Sequence, residues 1–96
     1  MTTLDDVRQN YRAAFLCYLP RREEAPLHLG YKIGRSAVVD GLSLLDVAQI
    51  HHAVFLEVLR DTRSEDLTTV ATAASEFLVE VLATYDMTQR SIPRGP

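Results

Sequence analysis

Apolar residues recur along this chain at alternating three- and four-residue steps, the spacing of one face of an α-helix, and no run alternates with period two as a strand would. Leu4, Val7, Tyr11, Ala14 and Tyr18 set the first such face, and Thr3 with Asp6 three residues later starts it like a capping box. This predicts a helix over 3–18, broken by Pro20 with Arg21 and Arg22. Glu23 and Glu24 then complement the positive end of a second helix, and Pro26 is tolerated in its first turn. That helix is expected over 23–40, ended by Asp40-Gly41, where glycine supplies a left-handed backbone. Ser43-Leu44-Leu45-Asp46 repeats the capping logic, and Leu44, Val47, Ala48, His51, Val54, Phe55, Val58 and Leu59 keep a 3.6-residue period over 43–60. Ser64, followed by Glu65 and Asp66, opens a fourth helix that should last to about Arg90. Its inner face is read as Val70, Ala74, Phe77, Leu78, Val81, Leu82 and Tyr85.

Connections this short favour antiparallel neighbours, so the expected fold is all-α, an antiparallel four-helix bundle. The helical domain should occupy residues 1–90, with 91–96 a disordered tail or the start of a linker, because two prolines and a glycine cannot hold a helix there. Gly30 and Gly34, one turn apart with Ala37 close behind, form a small-residue stripe where another helix could approach closely. Each glycine inside a helix costs about 1 kcal/mol relative to alanine, which implies a return in packing.

The helices carry more apolar surface than one core face needs. Phe15, Leu16 and Leu19 lie off the seam of the first helix, and Val79 and Ala83 form a second apolar pair on the flank of the fourth. A chain of 96 residues cannot surround four helices completely, so part of this surplus points to a contact between subunits. The seam Leu4, Val7, Tyr11, Ala14 and Tyr18 is the expected homodimer interface, with the Gly30/Gly34 stripe as the alternative.

Charge and chemistry narrow the function. A net charge of −3 and a pI near 5.5 disfavour nucleic acid as a partner. Cys17 is the only cysteine, which excludes an internal disulfide and fits a reducing, cytoplasmic setting. No stretch is expected to reach the roughly 18 apolar residues of a membrane span. His51 and His52 are adjacent and point about 100° apart on a helix, so they cannot share a metal ion. His51 should face inward in a hydrogen bond and His52 should lie nearer solvent. Ser43, His51 and Asp46 belong to one helix, where Ser43 and Asp46 already serve as a cap, and no phosphate-binding glycine loop or nucleophile elbow occurs. Catalytic residues, metal ligands and cofactors are therefore all expected to be none.

Tyr11, Tyr18, Glu24 and Leu27, then Gly34-Arg35, the run Gly41-Leu42-Ser43-Leu44-Leu45-Asp46, Ile50-His51, Phe77-Leu78-Val79-Glu80-Val81-Leu82 and Tyr85-Asp86-Met87 stand in an order that resembles the amino-terminal domain of RsbU-type PP2C serine phosphatases. That family acts in the bacterial sigma-factor partner-switching pathway, and the resemblance spans about residues 4–90. It implies a helical homodimer that binds an RsbT-like switch kinase and passes that binding to a downstream phosphatase or similar output domain. The end at Pro96 would then mark an excised fragment or a stand-alone copy. Matching positions in the family place the partner-binding surface at Glu24, Val79 and Ala83. Ala83 is smaller than the bulky aliphatic residue expected there, which bears on which partner is bound.

Overall fold

A computed structural model of the chain describes residues 4–21 and 24–91. Those residues form four α-helices: α1 (Leu4–Arg21), α2 (Glu24–Val39), α3 (Leu44–Arg60) and α4 (Leu67–Ser91), with a single 3₁₀ turn at Ser64–Asp66 leading into α4. No strand occurs among them. The all-helical, four-helix class expected from periodicity is what is found.

Local chemistry explains most boundaries. The Ser43 hydroxyl accepts from the Asp46 amide at 3.0 Å and the Asp46 carboxylate accepts from the Ser43 amide at 3.0 Å, the reciprocal capping box read from the sequence. Gly41, with its φ in the left-handed region, ends α2. Its amide donates to the Val38 carbonyl and that of Leu42 to the Ala37 carbonyl, the two bonds of a Schellman turn. Pro20 departs from expectation by lying inside α1. Only one more residue follows it in the helix, so the amide it lacks costs a single bond in the last turn. Thr3, Arg22, Glu23 and the tail 92–96 lie outside the described residues, and Ser91 is the last residue of α4 rather than the first of the tail.

Phe77 sits at the centre of the core. Tyr11 meets it edge-on with ring centroids 5.2 Å apart, while Phe15 and Tyr18 pack at a tilt at 5.7 and 5.8 Å. Ala14, Ala37, Val47, Val54, Ala73, Ala74 and Val81 fill the remainder. The closest approach is between α2 and α4. A Cβ on Gly34 would overlap the Val81 carbonyl oxygen and stand 3.0 Å from the Cβ of Thr84, and one on Gly30 would meet the Phe77 ring at 3.3 Å. The small-residue stripe is therefore covered by α4 of the same chain, which corrects its reading as an alternative dimer contact. Because Gly30 meets Phe77 while Gly34 meets Val81, Thr84 and Tyr85, α2 and α4 run in the same direction.

Helix α3 is held differently. Its contacts are with α1 and α4, and its polar links to α1 are the Tyr11–His51 hydrogen bond (2.7 Å) and the Arg12–Glu57 ion pair (2.7 Å). At the other end of the helix the Tyr85 hydroxyl donates to the Leu42 carbonyl at 2.6 Å and pins the α2–α3 corner to α4.

One stretch, Ser64–Ser91, is long and apolar enough by length and composition to cross a membrane, contrary to the expectation that none is. Its Ala, Val and Leu content makes it so, but Phe77, Val81 and Tyr85 are buried in the core and Glu76 and Glu80 lie midway along it, the pattern of a core helix.

Candidate protein-binding surface

Of the three residues expected to receive a partner, Glu24 lies at the start of α2 beside Glu80 of α4. Val79 and Ala83 lie one turn apart on α4, turned away from the face that meets Gly30 and Gly34, and no contact brings them together with Glu24. Glu24 opens α2 exposed to solvent, where its carboxylate complements the helix dipole. With Ala25, Leu27, His28 and Glu80 it lines an open recess between the two helices. Val79 is 63% exposed. Ala83, one turn further on, is also exposed, and Met87, at 66%, extends the same stripe by another turn. A second recess lies further along, between Tyr31, Arg35 and Val39 on α2 and Thr84, Met87 and Thr88 on α4.

The close glycine contact makes this surface. With no side chain at Gly30 and Gly34 the helices meet backbone to side chain, and the residues flanking the contact line two open recesses, one bearing Glu24 and Glu80 and the other Tyr31, Arg35 and Met87. Sequence reasoning missed Leu27, His28, Tyr31, Glu80 and Met87. Of these, Glu80 and Met87 were within reach, since they lie within four residues of Val79 and Ala83 on the same helix. The stacking of His28 on Tyr31, with centroids 5.1 Å apart, carries no sequence signature.

The five α1 residues are placed otherwise. Val7, Tyr11, Ala14 and Tyr18 are all buried inside the core of their own chain, and only Leu4, at 52% exposure, faces outward. Phe15, read as lying off the seam, is fully buried against Phe77 as well, whereas Leu16 is exposed. The seam is thus directed at the chain's own core, because Phe77 reaches deep enough to engage Tyr11, Phe15 and Tyr18 together.

The histidines behave as read. His51 is half-buried, stacks on Phe55 and shares a hydrogen bond between its Nδ1 and the Tyr11 hydroxyl, while His52 is exposed. Burial, and secondarily the charge of His52, hold His51 below the ordinary imidazole range. Burial alone lifts the Tyr11 phenol above its own range, so phenol and imidazole are both neutral and the 2.7 Å bond runs in the direction that the His51 tautomer sets. Among the described residues no three His, Cys, Asp or Glu side chains come close enough to hold a metal ion. Cys17 is exposed beside Ala13 and Ser36 in a separate groove between α1 and α2.

No curated protein and no solved structure matches the chain. A family model does: the N-terminal domain of the phosphoserine phosphatase RsbU, over residues 9–88, which takes in most of α1 and the whole of α2 and α3. In that family this domain is the regulatory part of the phosphatase and not its catalytic part. With the match covering most of its length, the chain belongs to the family of RsbU N-terminal domains.

Proposed function

We propose that this chain is the regulatory input domain of a partner switch, binding an RsbT-like switch kinase protein and relaying that event to a phosphatase or similar output domain. The family match over residues 9–88 carries this reading. The docking surface is the α2/α4 flank around Glu24, Val79 and Ala83, where an apolar stripe adjoins acidic groups, the composition protein partners use. Glu24 and Glu80 would steer a basic partner toward it. The domain performs no chemistry itself, works in the cytoplasm, and extends to the end of α4 at Ser91, with 92–96 as tail or linker.

The same reading takes consecutive helices as running antiparallel, which leaves α2 and α4 as parallel neighbours side by side, and takes the domain as a homodimer. Of the α1 seam only Leu4 is free to meet a second copy, so the contact falls to other exposed apolar surface.

Titration calorimetry of the chain with an RsbT-like switch kinase tests the proposal. Saturable binding is expected, weakened by Glu24→Lys through charge reversal and removed by Ala83→Asp, which buries an unpaired carboxylate. Circular dichroism should show both variants folded. No binding by the unaltered chain would sink the reading. A second reading, a structural dimerisation domain without a signalling ligand, draws on the exposed apolar side chains Leu44, Leu45 and Leu56 of α3; a dimer that binds no switch kinase would select it.

A further inference from the structure

Most charges within the helices are already taken up. Arg8 pairs with Asp5, Arg12 with Glu57 and Arg90 with Asp86, and Glu76 accepts from the Tyr18 hydroxyl. Glu24, Asp46 and Arg60 sit at helix ends whose dipoles suit them. Among the described residues, the charges in helix interiors that have no ion pair are Lys32, Arg35 and Glu80. Lys32 lines the separate groove between α1 and α2. The other two stand on the α2/α4 flank.

There they divide the flank by sign. The recess at the start of α2 is lined by Glu24 and a half-buried Glu80 and has no lysine or arginine in its wall. The second recess is lined by Arg35 and has no aspartate or glutamate. Beside the guanidinium lie the Tyr31 and Thr88 hydroxyls, neither of them hydrogen-bonded among the described residues. Positions 24 and 35 are separated by almost three whole turns, so Glu24 and Arg35 share one face of α2 about 16 Å apart along its axis.

Two carboxylates with no cation between them suit an ammonium or guanidinium group. The Arg35 recess suits a carboxylate, which a guanidinium can hold through two parallel bonds. A phosphate dianion fits less well, because the recess lies near the C-terminal ends of α2 and α4, where the helix dipoles are negative.

We infer that the α2/α4 flank reads its partner through two charges of opposite sign, a basic side chain received by Glu24 and Glu80 and an acidic one received by Arg35. This rests on the reading of the flank as the docking surface for a switch kinase, and adds the partner's polarity and orientation. The basic group lies toward the start of α2 and the acidic group toward its end, and a uniformly basic partner is repelled at Arg35.

Titration calorimetry of the 96-residue chain with an RsbT-like switch kinase, at low and at high salt, tests it. Arg35→Glu should weaken binding about tenfold or more, with the loss shrinking as salt rises, whereas Arg35→Lys keeps the charge and should cost about threefold or less. Lys32→Glu makes the same change in net charge on another face and should leave the affinity at the parent value. Both residues are exposed, so melting curves should stay close to that of the parent. An unchanged or tighter affinity for Arg35→Glu, or equal losses for Arg35→Glu and Lys32→Glu, would overturn the inference and leave switch-kinase binding standing. Binding seen only with a phosphorylated kinase would overturn the carboxylate assignment. No binding by the unaltered chain would overturn both readings.

Discussion

Helix α2 and helix α3 are of similar length and both pack on α4, yet they are joined to it by opposite means. At α2 the contact is backbone-close, with Gly34 against the Val81 carbonyl and Gly30 under the Phe77 ring, and Ala37 buried beyond them. At α3 the contact is made by medium-sized aliphatic side chains, and the attachment to α1 is completed by one histidine hydrogen bond and one surface ion pair. The first arrangement tolerates almost no change in distance; the second can yield side chain by side chain. Stability in this domain should therefore be concentrated in the α2/α4 pair, and sensitivity to solvent conditions in α3.

The sharpest way to break the comparison is Gly34→Val. Its branched side chain has nowhere to go between two backbones, so the helices must separate, and a loss of about 3 kcal/mol or more, or failure to fold, is expected in a thermal melt. A melt indistinguishable from that of the parent would show that the contact is looser than described.

A second prediction concerns pH. His51 has a folded pKa below its unfolded value near 6.5, so the stability linked to its neutral form is complete above that value and is lost as pH falls toward the folded pKa. Within that window the loss is at most about 1.4 kcal/mol per pH unit, and less at this half-exposed ring, which solvent screens. The groups around the ring are Tyr11 from α1, His52 and Phe55 from α3, and, beyond Tyr11, Phe77 from α4; none is an acid that would offset the proton. Hydrogen exchange between pH 7 and 5 should show α3 amides losing protection before those of α2, and His51→Phe should flatten the pH dependence. Uniform loss across all four helices would contradict the division drawn above.

Tyr11→Phe removes the hydroxyl and leaves the His51 Nδ1 to water at a half-buried site. The expected cost is about 1 kcal/mol by denaturant titration. The smallest effect belongs to Arg12→Ala or Glu57→Ala, which removes an ion pair exposed by about half on both sides. A double-mutant cycle should return about 0.5 kcal/mol or less, diminishing with added salt.

Features written in local chemistry are legible in the sequence: the Ser43–Asp46 box, the Gly41 terminus, and the inner face of α4 from Ala74 to Tyr85. What covers a face is not. The α1 seam and the glycine stripe are both surfaces that demand a neighbour, but periodicity carries no label saying whether that neighbour is the same chain or another copy. For α3, Leu44 and Ala48 satisfy the same 3.6-residue period as Val47 and Val54, so two faces read as one. The candidate binding surface is legible through the resemblance at Glu24, Val79 and Ala83. Its remaining lining depends on how closely α2 approaches α4, a distance that follows from the tertiary fold.

The Gly34 contact also restricts how the domain can move. A helix that touches its neighbour through interlocking side chains can slip by a fraction of a turn as rotamers change, the shear motion of packed helices. Helix α2 has no such freedom, because translation along α4 would drive its backbone into the side chains of Thr84 or Phe77. Force applied anywhere on the flank shared by these two helices should therefore tilt both together, as one lever about 37 Å long, the full length of α4.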